Sequence, residues 1–116
     1  MQISDLSQYG INVAEAMELC IDDEDIYKDV LETFLEEGRE KIPFMEDIIN
    51  SDMDRYIIEA HGLKNAAKQI GADTLSEEAK DSELSGKAGN LDHVKENHPK
   101  LMADYKAILD AVEQLF

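Results

Sequence analysis

The sequence predicts an all-α fold: an up-down-up-down antiparallel four-helix bundle with a short N-terminal helix packed as a lid. Three observations point to it. Apolar residues recur at three- and four-residue steps along most of the chain, β-branched runs and Trp are absent, and the breaks between stripes are short. At 116 residues the chain fits a single domain, 1–116, with one core.

The elements follow in order. Val13, Met17 and Cys20 recur at helical spacing and predict the short lid helix. The first long stripe is Tyr27, Val30, Leu31, Phe34 and Leu35, with Glu32, Glu36 and Glu37 outside it. Asp22 to Asp25 precede it, where acids favour the positive end of a helix. Pro43 lacks an N–H and disfavours helical geometry at Ile42, so a kink or break is expected there. Met45, Ile48 and Ile49 then resume the pattern, and Asn50-Ser51-Asp52 ends it, with Ser51 the expected cap of the next helix.

The third stripe runs from about Met53 to Ile70 through Tyr56, Ala60, Leu63 and Ala67, and Gly71 suits its end. Thr74-Leu75-Ser76-Glu77 reads as a capping box starting a helix that continues toward Leu84. Gly86-Lys87-Ala88-Gly89-Asn90 reads as a turn. Beyond it Leu91, Val94, His98, Leu101, Tyr105, Ile108, Val112 and Leu115 keep one phase through Pro99, which predicts one kinked helix rather than two. Four long helices with short turns pack most simply as an antiparallel bundle.

Composition narrows the function. The chain has 27 Asp and Glu against 11 Lys and Arg, a formal charge of −16, with an ordinary hydrophobic content of 43%. That balance argues against nucleic acid, whose phosphates demand clustered Lys and Arg, and against an anionic membrane surface. No apolar run approaches the ~18 residues of a membrane helix, and Met1-Gln2-Ile3-Ser4-Asp5-Leu6 does not read as a leader. Cys20 is the single cysteine, so no internal disulfide can form and a reducing, cytoplasmic setting is expected. A monomer whose partners are proteins or small molecules is the expected state, and a cationic patch on so acidic a body would stand out.

Such a patch is expected in the third stripe. At about 100° per residue, His61 lies off the core face centred near Ala60, Leu63 and Ala67, and Lys64 and Lys68 share its flank. Ile57 and Ile58 flank it on the N-terminal side, while the small Gly62, Asn65 and Ala66 would leave the imidazole accessible. A mid-helix Gly costs about 1 kcal/mol relative to Ala, so Gly62 needs a reason. A neutral imidazole nitrogen is a nucleophile that can form covalent intermediates, and a cation placed like Lys64 could neutralise a phosphoryl group on it. A surface histidine between solvated lysines is the plain alternative, and spacing alone leaves both open. Ile57 could equally border the core.

His61-Gly62-Leu63-Lys64-Asn65-Ala66-Ala67, followed by Gly71-Ala72, resembles the signature of histidine-containing phosphotransfer (HPt) domains, His-x-Leu-Lys-Gly-Ser/Ala-Ser/Ala with Gly-Ala a few residues on. The resemblance extends to Gly10-Ile11-Asn12, Asp23-Glu24-Asp25-Ile26-Tyr27 and Leu31-Glu32-Thr33-Phe34, and to Leu75, Ala79 and Glu83. It implies a four-helix bundle that relays a phosphoryl group between aspartates of receiver domains in response regulators or hybrid sensor kinases. It implies that His61 is the phospho-accepting residue and Lys64 the phosphate-stabilising one; Lys68, where the family does not require a lysine, is a candidate helper from its place on the same flank. Ile57, Ile58, Gly62 and Asn65 would contact the partner. No cofactor is implied, since Mg²⁺ belongs to the receiver, and no ATP chemistry, for which the chain has no Gly-rich loop. Asn65 departs from the family, which usually has Gly there. That departure supports an alternative function, an HPt-like module that binds receivers without efficient transfer.

Other candidates are weaker. His93 and His98 are off the spacing that pairs metal ligands on a helix, and His98 falls on the core stripe, so no metal site is expected. Asn50-Ser51-Asp52-Met53-Asp54 starts like a calcium loop but has Arg55 for the turn Gly and His61 for the final Glu. Cys20 reads as a buried small hydrophobe.

Overall fold

Each apolar stripe becomes the buried face of one helix. A computed structural model describes all of residues 1–116, with six helices and no strand. A 3₁₀ helix (Ile3–Tyr9) is followed by α1 (Val13–Leu19), α2 (Glu24–Ile48), α3 (Met53–Ile70), α4 (Asp73–Lys87) and α5 (Leu91–Glu113). The four long helices close a ring of contacts, in which α2 and α4 each pack against both α3 and α5. Tyr27, Leu31, Tyr56, Ile70, Val94, Leu109 and Val112 are fully buried within it. Each such side chain contributes about 1.5–3 kcal/mol through the apolar surface it removes from water.

Side-chain links set the sense of the neighbours. The Tyr27 hydroxyl donates to the Ile70 carbonyl at 2.8 Å, and Lys41 pairs with Glu59, so α2 runs antiparallel to α3. The Ser76 hydroxyl donates to the Lys64 carbonyl and Glu83 meets His61, so α3 runs antiparallel to α4. Asp81 with His93 and Glu78 with Lys100 do the same for α4 and α5. A Cβ on Gly86 would come within 2.6 Å of Ile57, so the missing side chain sets how closely α3 and α4 approach. Gly71 holds a φ of 85°, and a Cβ there would collide with Asn12, whose N–H donates to the Gly71 carbonyl at 2.8 Å. That bond seats α1 against the C-terminal end of α3.

Several expectations are corrected. Of the kink or break expected at Pro43, the break does not occur, since α2 continues to Ile48. The ring removes a single N–H close to the helix end, and burial of Met45 and Ile49 holds the last turn in place. Ser51 is not the cap of α3. Asp52 is, accepting from the Arg55 N–H at 3.0 Å, while the Ser51 hydroxyl donates to the Asp47 carbonyl. Thr74 and Ser76 form no capping box, because the two-residue link Gly71-Ala72 starts α4 at Asp73, with Ala72 in the cap position. Gly86 and Lys87 belong to α4 rather than to the turn, which narrows to Ala88-Gly89-Asn90. The 3₁₀ helix was not anticipated, since Ile3 and Leu6 alone make too short a stripe to reveal it. Through Pro99, by contrast, α5 is one helix as expected.

Candidate functional site

His61 projects from the middle of α3 with 53% of its side chain exposed. Its Nδ1 lies 2.5 Å from Oε2 of Glu83, which α4 delivers from beneath with only 3% of its side chain exposed. Burial alone would raise the Glu83 carboxyl pKa. Hydrogen bonds from Lys64, Lys87 and His61 outweigh that and pull it down to about 2. Lys64 donates to Oε1 at 2.8 Å and Lys87 to Oε2 at 3.1 Å.

The ionised carboxylate can only accept, so His61 Nδ1 is the donor and carries the ring proton. In the neutral ring Nε2 then carries the lone pair, on the far side of the ring from the Nδ1–Glu83 contact. Glu83 thereby fixes both the tautomer and the orientation of the imidazole. Lys64 Nζ, at 3.4 Å from Nδ1, places a positive charge beside the ring. The arrangement presents a nucleophilic nitrogen outward, an acid-accepting anchor inward and ammonium groups at the rim.

The structure brings some of the expected residues together and separates others. Lys64 is at the site. Lys68 turns away to Glu15 on α1 at 2.7 Å and Asp73 at 3.3 Å, and bonds to those two raise its pKa. The second cation at the site is Lys87 instead. Asn65 lies one turn beyond His61, with Nδ2 at 3.3 Å from Nε2. Gly62 faces open space, where an added Cβ would meet nothing within 4 Å. Ile58 is 57% exposed on the same face, whereas Ile57 is half-buried in the notch left by Gly86. Glu83 and Lys87 were missed as site residues. The available signal was an acid at a core position of α4, in step with Ser76, Ala79 and Gly86, followed by a Lys four residues on.

The other histidines are placed differently. His98 is half-buried with Nδ1 2.8 Å from the Tyr56 hydroxyl, and burial lowers its pKa. His93 pairs through Nε2 with Asp81 at 2.7 Å on the open surface. Cys20 is buried, which raises its thiol pKa. No helix is long and apolar enough to cross a membrane.

An all-helical domain that exposes, on a helix flank, an imidazole anchored by a buried carboxylate is the class that fold and site define. A family model described as the Hpt domain matches residues 29–115 of the chain, covering the whole cluster around His61. The chain belongs to the Hpt domain family. No curated protein and no solved structure matches it significantly. Hpt domains are phosphotransfer modules of two-component phosphorelays that interact with receiver domains; they are not ATP-binding kinases.

Proposed function

We propose that this chain is a phosphorelay intermediate carrying a phosphoryl group on His61 Nε2 between receiver-domain aspartates. One observation carries the reading: an exposed imidazole whose Nδ1 proton is held by a buried carboxylate, leaving Nε2 directed outward. Nε2 attacks the phosphorus of an aspartyl phosphate in line, the Nε2–P bond forms, and the aspartate leaves with its electron pair. No proton has to depart, because Nε2 carries none. Glu83 stabilises the positive charge that develops on the ring, and Lys64 the negative charge on the phosphoryl oxygens. The reverse sequence returns the group to a second receiver.

The receiver is expected to supply Mg²⁺, and this chain no cofactor. Ile58, Gly62 and Asn65 form the docking face, while the burial of Ile57 and the ion pairs of Lys68 argue against direct roles for them. The ring of contacts and the antiparallel neighbours support an up-down-up-down bundle, with α1 as the lid at one end. We further read the chain as a cytoplasmic monomer.

Incubation with a phosphorylated receiver domain should label the protein with acid-labile, base-stable phosphate, and His61→Gln should abolish the label. A label that persists in His61→Gln overturns the assignment. The reading of a module that binds receivers without efficient transfer draws on Asn65, whose amide lies over Nε2. Asn65→Gly raises transfer if the side chain obstructs it, and changes nothing if the domain only scaffolds.

A further inference from the structure

The contact between Asn65 and His61 has a defined polarity. In the neutral ring Glu83 holds the proton on Nδ1, so Nε2 offers a lone pair and no hydrogen. At 3.3 Å, Asn65 Nδ2 can therefore act only as the donor. It donates to the orbital that must attack phosphorus. Nothing else holds the amide: Nε2 is its one hydrogen-bond partner, and the side chain is exposed. The space over Gly62 beside it is open to an approaching surface.

We propose that Asn65 is a gate on the nucleophile, masking the Nε2 lone pair until a docked partner takes the amide onto its own acceptors. The inference rests on the relay reading and specifies how that site is regulated. A protein surface with carbonyl or carboxylate oxygens at its rim can hold both amide N–H groups and swing the side chain aside. A small phosphoryl donor cannot, so it meets a nucleophile whose lone pair is already engaged. The gate thus favours uptake from a docked receiver over uptake from small phosphorylated metabolites. Once it is open, Nε2 bonds to phosphorus as the bond from phosphorus to its leaving group breaks, and the leaving group takes the electron pair.

Potassium phosphoramidate tests this without a receiver, since it is a small donor whose leaving group departs as ammonia. The full chain is treated with it and phosphohistidine is followed by phosphorus NMR. Releasing one neutral hydrogen bond predicts that Asn65→Ala reacts about threefold to tenfold faster than the wild type. Gln69→Ala, one turn further along α3, should react at the wild-type rate. Before phosphorylation, nitrogen NMR of the ring should show the Nε2 resonance of Asn65→Ala moved downfield, toward that of an unbonded acceptor, with Nδ1 unmoved. If neither the wild type nor Asn65→Ala takes up a phosphoryl group on His61, the relay reading is overturned and the gate with it. A wild type that is labelled at the same rate as Asn65→Ala, with an unshifted Nε2 resonance, overturns the gate alone.

Discussion

Glu83 and Glu59 are both buried, on α4 and α3, with 3% and 5% of their side chains exposed, and each is bonded to two cations. Lys64 and Lys87 serve Glu83; Lys41 at 2.6 Å and Arg55 at 2.9 Å serve Glu59. A carboxylate withdrawn from water needs such partners, because the unpaired ion costs several kcal/mol. The difference is the third donor. Glu83 also takes the Nδ1 proton of an exposed imidazole, whereas the Glu59 cluster ends in Arg55 set against the ring of Phe44. Paired burial is therefore a requirement of the fold, and only the imidazole on the same oxygens turns one of the two clusters into a reactive site.

The sharpest way to break that comparison is to delete each acid. Glu83→Ala frees the imidazole to adopt the other tautomer, and phosphoryl uptake should fall about 10- to 100-fold in a receiver-dependent labelling assay. Glu59→Ala should leave uptake within about twofold while still lowering stability. Equal losses of labelling in the two variants would dissolve the distinction.

Next in size is the response of the fold to acid. The Glu83 carboxyl falls from an ordinary 4.5 to about 2 on folding, so its stabilisation is complete above pH 4.5 and is lost as pH drops toward 2. The amount is about 3 kcal/mol. Urea unfolding followed by circular dichroism between those limits should show the slope, and Glu83→Gln should flatten it.

Glycines sharpen the contrast between packing and docking. Gly86→Ala forces a Cβ against Ile57 and should destabilise the domain by about 1–3 kcal/mol in the same assay. Gly62→Ala meets open space and should stabilise it by about 0.5–1 kcal/mol, while slowing labelling by a receiver. A comparably small effect belongs to His98, bonded to the Tyr56 hydroxyl. Tyr56→Phe should lose about 1 kcal/mol without touching phosphoryl uptake. Because burial depresses the His98 pKa, its contribution is present above pH 6.5 and weakens as the pH falls below that value.

What could be read from the chain depended on whether the information was local. The α3 boundaries, Met53 and Ile70, agree with the stripe at both ends, because Asp52 and Gly71 act through their immediate neighbours. His61 and Lys64 share a flank for the same reason. Pro43 does not end α2 because tertiary packing offsets a local penalty, and the Thr74–Glu77 box misleads because a two-residue link leaves it inside the helix. Glu83 lies 22 residues from His61, and nothing in either stripe states how α3 and α4 are rotated against each other. Lys68 has the right angle on α3, but α1 brings Glu15 within its reach.

The two-residue link between α3 and α4 has a kinetic consequence. His61, Lys64, Glu83 and Lys87 all belong to this one helical hairpin, whereas the Tyr27–Ile70 bond that fastens α2 spans 43 residues. Closing the shorter span loses less chain entropy, and local contacts speed folding. The hairpin is therefore the expected folding nucleus, and pulse-labelled hydrogen exchange should protect its amides before those of α1. The domain's chemistry would then be in place before its N-terminal segment has docked.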